Sequence, residues 1–222
     1  MQHVDGRTNR AEEVASIVRE RILDGRLPAG DRINEVRLSA ELGLSRTPLR
    51  EGLSRLVNEG ALQDIPRRGF FVRRLTAEEV RAIYPIRSIL DPAALRLAGI
   101  PADEEIARLR EINERLAQTT DPAEAVRLDD ELHLKLVAGC PNPVLIGLIE
   151  QFMWRTRRYE LGLMRQKVGM PGAVAAHERI LAALEAGDME IAVRELEGNL
   201  SHGQEPILDW LAERDGSERG DI

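Results

Sequence analysis

At 222 residues, 43% hydrophobic and 31% charged, the chain has material for one large domain or two small ones and for a real apolar core. No apolar run approaches the ~18 residues that a membrane helix needs, the first residues are too polar for a secretory signal, and the lone cysteine, Cys140, excludes an intramolecular disulfide; a cytoplasmic, membrane-free setting is expected. The net charge of −7 is uneven: residues 1–75 carry 14 arginines against 11 carboxylates, so a basic front joins an acidic body and only the front suits a polyanion.

Val14, Ile17, Val18 and Ile22 recur at helical spacing and predict a helix over 8–24, stopped by Gly25. Leu27-Pro28-Ala29-Gly30 reads as a turn. Asn34 is placed to cap a short helix holding Val36, Leu38 and Leu42, which Gly43 ends. Ser45 is expected to cap a third helix over 46–59, with Leu49, Leu53, Leu56 and Val57 facing inward. Two strand candidates follow at 61–65 and 70–73, joined by Pro66-Arg67-Arg68-Gly69, a turn with basic arms. From Thr76 onward the pattern is helical throughout. Thr76 with Glu79 forms a capping box, and helices are predicted at 77–98, 103–118, 122–138, 143–168, 173–186 and 188–211. Pro85 is expected to kink or split the first of these, whereas Pro122 suits a first-turn position. The polar stretch 214–222 reads as a disordered tail. The expected fold is mainly α: a winged helix-turn-helix (three helices plus a small β-hairpin) over 1–75, then an all-α antiparallel helical bundle over 76–213.

A helix that reads DNA needs donors on its exposed first turns. Ser45, Arg46, Thr47 and Arg50 supply them, with Arg46 and Arg50 on one face at i, i+4. Arginine suits bidentate contact with guanine, and a helix N-terminus favours phosphate. Arg67 and Arg68, beside Gly69 at the hairpin tip, are suited to the minor groove or its backbone. Each arginine alone reads more readily as a solvated charge; their grouping on one helix and one wing points to double-stranded DNA.

The helical part carries a second signal. Ala125, Leu128, Leu132, Leu136 and Val137 form an apolar stripe that also contains Asp129 and His133, so both point inward one turn apart. His177 shares a stripe with Val174, Ile180, Leu181 and Leu184. A carboxylate and two imidazoles converging in a bundle suit a divalent metal such as Zn²⁺, Ni²⁺ or Mn²⁺; hydrogen-bonded core histidines and a salt-bridged pair are the alternatives. Arg87 lies in a stripe with Ile83, Leu90 and Ala94, and a buried guanidinium wants a planar anion, either an effector carboxylate or an internal partner such as Asp91 or Asp129. Arg155 and Tyr159, with Trp154 and Arg158, are candidates for the same cavity, for packing or for a dimer face.

The front of the chain resembles the GntR-family DNA-binding signature in Leu27–Ile33, Leu38–Gly43, Ser45–Glu51 and Leu56–Gly60. The resemblance implies that Arg46, Thr47 and Arg50 read an operator and that Arg67–Gly69 make the wing contact. Some members also use an arginine near the start of the second helix, where this chain has Val36 with Arg37 beside it. The helical part resembles the FadR-like branch with an FCD effector domain, in Arg87 with Asp91, in Asp129–His133, in Ala138–Asn142 and in His177–Ile180. That branch commonly holds a metal with an aspartate and three histidines, its shell completed by a bound carboxylate. The third histidine position is Asn199 here, with His202 one turn on as a substitute. Together these readings imply a homodimeric transcription regulator, by default a repressor, acting on a near-palindromic operator and answering to a small organic acid. A metal-dependent enzyme on the same bundle is the rival, and it lacks a general base in a recognisable motif; a helical domain that only dimerises is the other.

Overall fold

The computed structural model describes residues 3–165 and 171–218 and divides between Leu75 and Thr76 into two compact units. The first holds α1 (His3–Leu23), α2 (Glu35–Leu42), α3 (Arg46–Asn58), β1 (Leu62–Ile65) and β2 (Gly69–Val72). The core is formed where Val14 and Val18 of α1 meet Leu49, Leu53 and Leu56 of α3, with Leu62, Phe70 and Val72 from the strands. α1 and α3 approach closely because Gly52 has no side chain: a Cβ there would lie 2.6 Å from the Ala11 carbonyl oxygen and 2.7 Å from Val14 Cβ. The strands pair antiparallel, Leu62 opposite Val72 and Ile65 opposite Gly69. The reversal places Arg67 at φ 65° and Gly69 at φ 88°, the second a conformation natural to glycine.

The second unit consists of α4 (Ala77–Ala98), α5 (Asp103–Gln118), α6 (Pro122–Leu136), α7 (Pro143–Met164), α8 (Pro171–Glu185), α9 (Met189–His202) and α10 (Gln204–Glu218). α4 packs against α7, α9 and α10, while α5 packs against α6 and α8. The mainly helical architecture predicted for both units is observed. Thr76, Asp121, Asn142 and Asp188 each cap a helix through a side-chain oxygen that accepts a backbone N–H.

Three details differ from the sequence expectation. Pro85 and Pro92 both lie inside α4, which continues through them, so the split allowed at Pro85 does not occur. The predicted helix 188–211 is two helices: α9 ends at His202, and Pro206 in the first turn of α10 has no N–H to continue the ladder. The tail expected from 214 is helical as far as Glu218, with the Arg214 guanidinium 5.3 Å from the centroid of the Trp210 ring one turn earlier. Residues 166–168 of the predicted helix 143–168, and 219–222, lie outside the described residues. No described helix is long and apolar enough to cross a membrane.

Candidate functional site

In the first unit, α3 begins with its N-terminus unused by its own side chains. Ser45 occupies the N-cap position in extended conformation, but its hydroxyl makes no capping hydrogen bond, contrary to the sequence expectation. Pro48 carries no N–H, so the backbone donors of Ser45, Arg46 and Thr47 are the ones without a partner among the described residues. Ser45, Arg46, Thr47 and Arg50 are all exposed. Among the described residues the Arg46 side chain makes no ion pair or hydrogen bond, while Arg50 is steadied by Glu35 at 3.3 Å and lies 5.1 Å from the centre of the Phe70 ring. On the hairpin, Arg67 and Arg68 are exposed, and Arg68 lies 5.2 Å from the Phe71 ring centre. Arg37 is exposed and tied back to Glu41 at 2.7 Å. Electropositive donors thus gather at one helix start and one turn.

In the second unit, α6 and α8 bring Asp129, His133 and His177 together, all buried, with candidate ligand atoms within 4.8 Å of one another. His133 Nε2 is 3.8 Å from Asp129 Oδ2, and His177 Nε2 is 3.5 Å from Asp129 Oδ1. The two rings meet edge to face at 5.3 Å. His177 Nδ1 lies 3.0 Å from Asn113 Oδ1 on α5. Arg87, on α4, donates to Asp91 Oδ2 at 2.9 Å and to Thr156 Oγ1 at 3.5 Å, so an internal partner satisfies part of its guanidinium; its Nε has no partner among the described residues. Arg87, Asp129 and His133 line a cavity of about 660 Å³, together with Tyr84, Glu160 and Asn199.

Two expected effector contacts lie elsewhere. Arg155 binds Glu79 at 2.7 Å, and the Tyr159 hydroxyl donates to Glu79 at 2.7 Å and accepts from Thr76 N–H at 3.1 Å. Both therefore fasten α7 to the start of α4, and the cavity wall on α7 comes instead from Glu160, Leu163 and Met164. Trp154 and Arg158 are likewise absent from the lining. His202 lines the cavity but stays outside the ligand group: it is exposed, and its Nδ1 lies 2.5 Å from the Gly198 carbonyl oxygen of its own helix. Tyr84, Glu160 and Asn113 were not singled out from sequence. Tyr84 lies one turn before Arg87, and Asn113 interrupts the apolar stripe of Ile106, Leu109, Ile112 and Leu116 on α5, which is the signal that was available.

Comparison with known proteins follows this division. Residues 10–72 match the bacterial regulatory proteins of the gntR family, and residues 82–202, more than half the chain, match the FCD domain. The chain belongs to the GntR family of bacterial regulatory proteins. It is 40% identical over 131 residues to the Nta operon transcriptional regulator of Aminobacter aminovorans, a match spanning 58% of this chain and 62% of that protein, less than two thirds of its length. A probable D-xylose utilization operon transcriptional repressor from Paenarthrobacter nicotinovorans is 29% identical over 95% of this chain and 92% of its own. Among solved structures, E. coli McbR/YncC is 25% identical with a TM-score of 0.77, covering 91% of this chain and 98% of that one.

Electrostatics in this GntR-family chain favour neutral imidazoles in the cluster. Burial pushes His177 down to about 4 and, with the Arg87 charge and His177 adding to it, holds His133 well below its ordinary value; a side-chain hydrogen bond with Asn199 opposes that shift. Burial, then the charges of Glu160 and Asp130, push the Asp129 carboxyl well up. Glu160 is raised to about 7, chiefly by burial, while its Oε1 accepts from the Tyr84 hydroxyl at 3.1 Å. The residues present fit a divalent metal. His177 Nε2 is buried without a hydrogen-bond partner among the described residues, although it faces a carboxylate oxygen. Metal–ligand bonds of about 2.1 Å put neighbouring tetrahedral ligand atoms roughly 3.4 Å apart, against 3.8 and 3.5 Å from Asp129 to His133 and His177 here.

Proposed function

We propose that this chain is a homodimeric, cytoplasmic, DNA-binding transcriptional repressor whose helical unit senses a small organic acid. The observation that carries the sensing half is the cavity of about 660 Å³ with a buried guanidinium, a carboxylate and an imidazole in its wall and apolar side chains such as Leu163, Met164 and Ile207 elsewhere. Ligand sites commonly have this size and this sparing use of polar groups. Asp129, His133 and His177 would hold a divalent ion, Zn²⁺, Ni²⁺ or Mn²⁺, and Asn199, beside His133, offers a carbonyl oxygen where the resemblance expects a third histidine. A bound ion supplies a Lewis-acid anchor for the acid's carboxylate. Arg87, whose Nε lacks a partner, supplies the second anchor from the protein itself.

The DNA half rests on Arg46, Thr47 and Arg50 at the start of α3 and on Arg67, Arg68 and Gly69 at the wing. Two copies present two such heads to the halves of a near-palindromic operator. Effector binding shifts the population between arrangements that differ in the spacing of those heads.

Thermal unfolding with metals and a panel of carboxylates tests the sensing half. A metal, and a metal with at least one acid, should raise the melting temperature of the wild type but not of His133→Ala, which should keep its DNA affinity. A wild-type chain indifferent to every metal and acid would contradict the reading.

A further inference from the structure

We infer that Asn113 is a positioning residue for the ligand cluster: its amide oxygen takes the Nδ1 proton of His177 and so fixes the tautomer whose bare Nε2 faces Asp129. This rests on the reading of Asp129, His133 and His177 as metal ligands, and it adds a residue from a third helix, α5.

The assignment follows from where the amide protons of Asn113 must go. Its Nδ2 lies 3.2 Å from the Val174 carbonyl oxygen and 2.7 Å from Glu178 Oε1, both acceptors. The NH₂ group therefore occupies that side, and Oδ1 is the atom 3.0 Å from His177 Nδ1. An amide oxygen only accepts, so Nδ1 carries the proton. A neutral imidazole has one N–H, which leaves Nε2 as a lone pair. That atom is buried, has no hydrogen-bond partner and lies 3.5 Å from Asp129 Oδ1. The opposite tautomer would aim an N–H at Asp129, filling the place of a cation, and would set two acceptors against each other at Nδ1.

Asn113 is itself held from behind. Glu178, the neighbour of His177 on α8, accepts from Arg110 Nη1 at 2.5 Å, and Arg110 also grips Glu185 at 2.6 and 2.7 Å. The chain Arg110–Glu178–Asn113–His177 ties α5 to α8 and runs from the surface to a ring that is 0% exposed. Each amide proton of Asn113 has an acceptor, so the amide cannot flip without breaking both bonds. Groups that orient a ligating imidazole through its second nitrogen commonly change metal affinity 10–100-fold when removed.

The test uses the full chain labelled with ¹⁵N-histidine. It has four histidines, and the His177 signal is the one lost in His177→Gln. In metal-free wild type near neutral pH, the ring nitrogen shifts should show a protonated Nδ1 and a bare Nε2. Asn113→Leu should lose that bias and bind Zn²⁺ roughly 10–100-fold more weakly. The double variant Asn113→Asp/Glu178→Gln, which restores an acceptor at Nδ1 and a donor at 178, should recover both. A wild-type proton on Nε2, or an Asn113→Leu chain with unchanged tautomer and affinity, overturns the inference. If Asn113→Leu does not fold, loss of the tautomer in the double variant does so instead. A wild type that binds no Zn²⁺ but keeps the Nδ1–H form overturns the metal reading and leaves the role of Asn113 standing.

Discussion

Arg46 and Arg50 lie on one face of α3 but start from different states: Arg50 is steadied by Glu35 and Phe70, whereas the Arg46 side chain has no such partner among the described residues. If both read base edges, alanine at either position should cost about 1–3 kcal/mol of operator affinity and narrow the preference over scrambled duplex. Competition anisotropy reads this directly, and variants with wild-type preference would place the interface elsewhere. Arg67→Ala at the wing should instead weaken all DNA alike and reduce the salt slope by about 1. At the buried cluster, burial pushes His177 from an ordinary 6.5 down to about 4. A depressed value means the unfolded chain protonates first on acidification, so this stabilisation is full above about 6.5 and is lost as pH falls towards 4, a difference of about 3 kcal/mol. Asp129, raised by burial, acts with the opposite sign, its contribution growing as pH falls through its raised value. The expectation is therefore placed on a difference: in metal-free urea denaturation, His177→Gln should lose less stability than wild type between pH 7 and 4.5, and equal slopes would contradict a neutral buried imidazole. Asp129, His133 and His177 were legible because each interrupts an apolar stripe at helical spacing. Asn113 interrupts one too, but its meaning depends on α5 meeting α8, which no local pattern encodes.

At the scale of elements, two glycines set how closely helices approach. Gly52 lets α1 lie against α3, and a Cβ there meets backbone, which cannot swing aside. Gly52→Ala should destabilise the first unit by about 1–3 kcal/mol and weaken DNA binding with it; an unchanged melt and unchanged affinity would show that the contact is looser than described. Gly162 on α7 receives the Trp210 ring of α10, with a built Cβ clashing with Cη2. Neither pairing was visible in sequence, because both join segments distant in the chain. Helix starts were legible, since Thr76, Asp121 and Asp188 announce them with side chains that bond their own first turn. The division at Gly203 was missed because the apolar pattern of 188–211 continues across it, while the backbone breaks where Pro206 lacks a donor. A similar slip in angular phase explains α7: successive residues turn about 100° apart, so Tyr159 points to Glu79 while Glu160, one residue on, lines the cavity.

For the whole molecule, one chain of the GntR family holds a unit that matches the gntR regulators and a unit that matches the FCD domain, the second proposed above as the acid sensor. Selection from randomised duplexes by the full-length protein should enrich an inverted repeat with half-sites about one helical turn, or a multiple of it, apart. Enrichment of a single unrepeated element would contradict the symmetric dimer. The two units must also be coupled, since a sensor that binds its acid without changing DNA affinity regulates nothing; allosteric couplings are typically 5–150-fold. The most direct measurement is anisotropy on the selected duplex with divalent metal present, titrating the acids that raise the melting temperature. The account predicts that at least one of them shifts operator affinity by about fivefold or more in wild type and leaves His133→Ala unmoved. Operator affinity unchanged by every stabilising acid would contradict it.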